Sequence, residues 1–226
     1  NKIHTTRTEI ERNSQRAAST EISQALQQMA RELEQVAHAL AAWDETRQQL
    51  SDPGYYEYWR NNRVLQGGVV PDYVRSVALY NRQGHPLGVL PPGMPGMVEG
   101  VARTEVTRQG GRDFIYLVQP IQDVEIRGQV SGYAVLKIDF RSALLSAQHF
   151  RYVDAASIVL SIHEGETIHS DLTERVLFKV LPNEEMSALL AFLTRYQYQI
   201  AFVVIMLSWI FYAALSALLA RPVLRL

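Results

Sequence analysis

Four aromatic residues and two arginines crowd into the stretch Tyr55-Tyr56-Glu57-Tyr58-Trp59-Arg60-Asn61-Asn62-Arg63. A guanidinium grips a carboxylate through two parallel hydrogen bonds, and aromatic rings wall off the rest of a small ligand. The chemistry these residues offer is therefore binding, with no covalent step. The candidate ligand set is Tyr56, Trp59, Arg60 and Arg63, joined by Tyr80, Arg103 and Tyr116 from the strands that follow. The same aromatics also suit packing against Trp43 and Leu40, with Arg60 paired to Asp44 or Glu45, because rings at helical spacing commonly fill a core. A second cluster, His163-Glu164-Gly165-Glu166-Thr167-Ile168-His169, holds two imidazoles and two carboxylates of the kind zinc or nickel accepts. A charged turn with its histidines on opposite faces is the plainer reading, so neither a metal nor a cofactor is assigned.

Other chemistry finds little to work with. There is no cysteine, hence no thiolate, disulfide or cysteine metal site. No Gly-x-Ser-x-Gly elbow and no phosphate-cradling glycine loop occurs, so no enzymatic activity is expected of this stretch. A net charge of -1 supplies no field to gather nucleic acid.

The elements that must position the candidate residues follow from periodicity. Ile22, Leu26, Met29, Leu33, Val36, Leu40 and Trp43 alternate steps of four and three, the seam of a long bundle helix or a coiled coil. Without proline or glycine from Ile3 to Leu50, one helix is expected over that stretch, its seam facing either a second copy or its own domain. Ser51-Asp52-Pro53 reads as the start of a short helix that Gly67-Gly68 ends. Strands are expected over Val74–Tyr80, Pro86–Leu90, Val101–Thr107, Phe114–Ile121 and Gly132–Phe140. A hairpin should turn at Gln109-Gly110-Gly111-Arg112 and a helix should open at Asp139-Phe140-Arg141. A second hairpin is expected to join Ser157–Ile162 to Glu166–Ile168, with a last strand at Val176–Val180. Pro91-Pro92-Gly93-Met94-Pro95-Gly96 reads as a loop whose Met94, with Met97, would form an adaptable apolar lip. The fold class is α+β: a long N-terminal helix, a mostly antiparallel sheet with short helices, and a C-terminal transmembrane helix.

Gln199 to Ala220 carries no formal charge and is long enough as a helix to cross a hydrocarbon core of about 30 Å. Tyr196 and Tyr198 suit one interface, while Arg221 and Arg225 favour a cytoplasmic C-terminus. Ala213 and Ala217 would let two such helices approach closely. The expected divisions are 1–50 as stalk or dimerisation helix, 51–181 as sensor core, 182–198 as membrane-proximal helix, 199–220 as the span and 221–226 as a linker. Residues 1–196 would then lie outside the cytoplasmic membrane, exported by an upstream hydrophobic segment.

Ala42-Trp43-Asp44-Glu45-Thr46, Tyr55-Tyr56-Glu57-Tyr58-Trp59 and Val77-Ala78-Leu79-Tyr80-Asn81-Arg82-Gln83-Gly84 resemble the type-4 CHASE domain, a PAS-like extracellular sensor of bacterial signalling proteins. The resemblance spans roughly Ile22 to Phe140 and does not extend through Phe150–Leu181. Arg221-Pro222-Val223-Leu224-Arg225-Leu226 resembles the opening of a HAMP linker. Together these resemblances imply a homodimeric periplasmic sensor of a small molecule or protein signal, anchored in the inner membrane. They further imply a cytoplasmic GGDEF or EAL output that makes or degrades cyclic di-GMP, or else a histidine kinase. A membrane-anchored structural or assembly protein with a protein-binding outer domain is the alternative.

Overall fold

The computed structural model describes residues 2–100, 102–124, 126, 128–168, 172–181 and 184–220. They fall into two compact units, Asn1–Leu181 and Pro182–Leu226. The architecture is α+β, as expected.

Helix α1 runs Lys2–Ala42. Its apolar stripe is the expected one, but the stripe faces the chain's own sheet: Ile22, Leu26, Met29, Leu33 and Leu40 are buried in the main core and Val36 packs against it. Of the two surfaces the seam could face, a second copy or its own domain, the described stripe faces its own domain. Ala18, Ala25 and Ala37 lie fully buried in the same stripe, where small side chains let the helix sit close to the strands. The outward positions Gln24, Gln27, Arg31, Glu34, Gln35 and His38 are exposed and polar.

The helix does not run on to Leu50. Trp43 is extended (φ -70°, ψ 132°) and a separate helix, α2, spans Asp44–Ser51 with Asp44 and Glu45 in its first turn, where the helix dipole favours carboxylates. The break lets the Trp43 ring meet Trp59 at 5.9 Å between centroids. Asp52 then caps a 3₁₀ turn over Pro53–Tyr55, its carboxylate accepting from Gly54 N–H. A single α turn, α3 (Tyr56–Tyr58), passes into a π-helix over Trp59–Leu65.

Strands β1 (Val74–Asn81), β2 (Arg103–Gln109), β3 (Arg112–Gln122), β4 (Val130–Asp139) and the two-residue β6 (Thr167–Ile168) form one antiparallel sheet in the order β1-β4-β3-β2-β6. Gly110 (φ 58°) and Gly111 (φ 73°) make the expected β2–β3 hairpin, because a two-residue turn matching strand twist needs positive φ at both positions. Central β4 is buried from Gly132 to Ile138, since both faces of the sheet are covered. One face (Val77, Leu79, Val106, Ile115, Ala134, Leu136, Ile138) meets α1 and helix α4, Phe140–Ala147, which Asp139 caps by accepting from Ser142 N–H. The other (Ala78, Tyr80, Tyr116, Val118, Tyr133, Val135) packs with Met94 and Val98 of the β1–β2 connection.

Two expected strands are corrected. Pro86–Leu90 contributes only a single bridge, Tyr80 to Pro86. At Gly88 the backbone runs so close to the Tyr56 ring that a Cβ would stand 2.9 Å from it, and the chain leaves the sheet there. The second hairpin is not formed either. β5 (Val159–Leu160) pairs with β7 (Val176–Leu177), while β6 joins the edge of β2. Arg108 fastens the β5 segment to the sheet: it forks onto Asp113 (2.7 and 3.0 Å) and donates to the carbonyls of Leu160 and Ile162, both at 2.9 Å.

The second unit contains helix α5, Glu184–Ala220, whose window Arg195–Ala213 has a mean hydropathy of 1.3. It is the one helix among the described residues long and apolar enough to cross a bilayer. Phe202, Trp209 and Phe211 are exposed on it, and Ser208 donates its hydroxyl to Val204 O at 2.8 Å, one helical turn back. The expected linker 221–226 lies outside the described residues, as do His169 and the helix start at Pro182-Asn183.

Candidate functional site

The stretch from Val89 to Pro95 crosses the second sheet face as a strap, and side chains hold four of its carbonyl oxygens. Arg60 Nη1 donates to Val89 O at 2.7 Å, Lys137 Nζ to Pro92 O at 3.3 Å, Tyr116 Oη to Gly93 O at 2.6 Å, and Tyr80 Oη to Pro95 O at 2.6 Å. Three of those donors belong to the sequence-derived ligand set; Lys137 was missed. β3 and β4 place Tyr116 and Lys137 opposite one another in register, and β1 and β4 do the same for Tyr80 and Tyr133.

Burial raises the Tyr80 and Tyr116 hydroxyls above the usual phenol range, so both stay protonated donors. Lys137 is buried, and desolvation lowers its ammonium below the usual lysine range. Its other partners are Gln109 Oε1 at 2.9 Å and the rings of Phe114 and Tyr116, with Nζ 4.4 and 5.8 Å from their centroids. Gly93 (φ 77°) closes the strap over this group: a Cβ there would lie 2.6 Å from both Lys137 Nζ and Gln109 Oε1. Met94 is buried beneath the strap, whereas Met97 is exposed, so the expected two-methionine lip reduces to one inserted side chain.

The remaining predicted residues lie elsewhere. Tyr56 is buried under Arg60, whose guanidinium carbon sits 5.4 Å from its ring, and its hydroxyl accepts from Leu79 N–H at 2.8 Å. Trp59 meets Trp43 at 5.9 Å and Tyr56 at 6.1 Å between ring centroids, with its indole N–H unpartnered. Arg63 is half exposed and pairs with Glu45 at 2.7 Å, the partner the packing alternative offered to Arg60. Arg103 pairs with Glu105 at 2.9 Å beside a cavity of about 520 Å³ lined by Leu26, Leu33, Ile115 and Leu172. His163 meets Glu166 at 3.2 Å, and among the described residues no three metal-ligating side chains converge.

No family model matches this chain, and no curated protein does. Among solved structures, a domain of a sensory box/GGDEF family protein from Vibrio parahaemolyticus is similar at a TM-score of 0.38 and 11% identity, covering 66% of this chain and 70% of that one. Likeness at that level leaves function to be argued from the chain's own geometry.

A second arrangement bears on how the domain works. Glu21, buried on α1, accepts from the backbone N–H groups of Arg151 (2.7 Å) and Tyr152 (2.9 Å). Tyr152 O in turn accepts from Leu181 N–H at 2.8 Å, and Val153 bridges Val180. A single carboxylate therefore joins the long first helix to the last residues of the folded unit. Sequence reading had no means of finding Glu21, because its partners are backbone groups some 130 positions away.

Proposed function

We propose that this chain is the sensor and transmembrane relay of a bacterial signalling receptor, with residues 1–196 periplasmic and the C-terminus cytoplasmic. The observation that carries the reading is the Glu21–Tyr152–Leu181 hydrogen-bond chain, through which a displacement of α1 against the sheet would pass to the segment that precedes the apolar helix in sequence. Two packings of that helix, biased by what the sheet face holds, would constitute the signal. Self-association, as in the homodimer the resemblance implies, would use a surface other than the buried Ile22–Leu40 stripe. The CHASE-like and HAMP-like segments support an output that controls cyclic di-GMP. The absence of native cysteine makes the orientation directly testable. Gln66→Cys, on an exposed turn, should react with a membrane-impermeant maleimide in intact spheroplasts, and Leu226→Cys only after lysis. The opposite pattern would overturn the proposal. In the receptor carrying this chain, Glu21→Ala should change cellular cyclic di-GMP, and an unchanged level would remove the relay.

A further inference from the structure

We propose that the strapped sheet face is a binding site for a small organic carboxylate with an apolar body, and that the Val89–Pro95 strap is its built-in stand-in. The proposal names the ligand class of the sensor above and rests on that reading only for the consequence of binding, not for binding itself.

The donor set is the first argument. Along one strap stand a guanidinium, an ammonium and two phenols, all donating and all answered by neutral carbonyls. Among the described residues neither Arg60 nor Lys137 pairs with a carboxylate; Arg60 reaches Val89 O and the Asn61 side chain, Lys137 reaches Pro92 O and Gln109. A buried cation without a counter-ion is costly, and charge-assisted bonds are roughly twice as strong as neutral ones. An incoming carboxylate would therefore gain more from Lys137 than the Pro92 carbonyl does.

The wall is the second argument. Met94 shares one hydrophobic cluster with Tyr116, Val118, Tyr133 and Val135, with Phe114 packed against it, so the ligand's body is apolar, which excludes a bare phosphate. The strap itself is the third. Pro91, Pro92 and Pro95 stiffen it, Gly93 and Gly96 flank the plug, and four side-chain bonds retain it in place of any regular strand pairing. Such a segment lifts as a unit without disturbing the helix-side core.

The probes are benzoate, phenylacetate and hexanoate, set against benzamide, hexanamide and inorganic phosphate. Each is titrated calorimetrically into the full chain in detergent or nanodiscs. The carboxylates should bind and the amides and phosphate should not. Lys137→Met should abolish binding and Lys137→Arg restore it. Met94→Ala removes the plug, raises the fraction of molecules with the strap open and should tighten carboxylate binding by about tenfold. This gain of function cannot come from misfolding. No carboxylate binding by either wild type or Met94→Ala, equal binding of the amides, or binding of phosphate alone would overturn the proposal. The maleimide orientation test is unaffected by any of these outcomes, so failure here and failure of the sensor reading are separable.

Discussion

An ammonium set between two aromatic rings and two neutral acceptors is charged at a cost, and that cost varies with pH. Burial holds Lys137 below the ordinary lysine range, so the folded chain releases this proton at lower pH than the unfolded chain does. Between the two values the unfolded chain binds more protons, and stability rises with pH. Lys137→Met keeps the length of the side chain and removes the charge. Near pH 7 it is expected to equal or exceed wild type in stability, and wild type should gain on it as pH rises toward about 10. Tyr116, the titratable neighbour facing Lys137, is held protonated by burial in both proteins and cancels in the difference. Urea melts at matched pH measure this difference, and a gap independent of pH would show that desolvation is not what perturbs Lys137. At this scale the sequence was partly legible. Tyr80, Tyr116 and Arg60 stood out as donors with aromatic neighbours, whereas Lys137 looked like an ordinary alternating strand residue. Its isolation arises only when β3 and the strap close over it.

For the elements, periodicity stated which face of α1 is apolar but not what that face meets. Ile22→Asp or Leu33→Asp should therefore unfold the domain rather than dissociate a dimer. Each places a carboxylate in the main core and should cost about 3–5 kcal/mol by chemical denaturation. Gln24→Asp, on the exposed face, should stay within about 0.5 kcal/mol of wild type. If all three variants melted alike, the packing of α1 on the sheet would be wrong. The β2–β3 hairpin and the α4 cap were readable because Gly110-Gly111 and Asp139 act locally. The placement of β5 was not, since a side chain on β2, Arg108, holds the carbonyls of Leu160 and Ile162 from about fifty residues away. Trp43 shows the same limit. Nothing in its flanking residues breaks a helix, and the turn places its ring against Trp59 on a later element.

Taken as a whole molecule, the folded unit is closed by contacts between its two ends. Glu21→Ala leaves the N–H groups of Arg151 and Tyr152 without their acceptor and frees the segment that holds Leu181. Hydrogen exchange at Arg151, Tyr152 and Leu181 should accelerate about tenfold or more, the equivalent of one lost charged hydrogen bond, while β4 amides keep wild-type protection. Uniform acceleration across β4 would mean that Glu21 supports global stability and not a local link. The outer margins of the sheet carry a further consequence. On β1, the Leu79 N–H is taken by the Tyr56 phenol, and residues 85–87 return to Leu79 and Asn81. On the opposite side two residues of β6 and the Glu164 bridge cover part of β2. An exposed margin is a template on which another chain can add strands and grow as cross-β. Tyr56, sought in the sequence as a ligand contact, instead guards that margin against its neighbours.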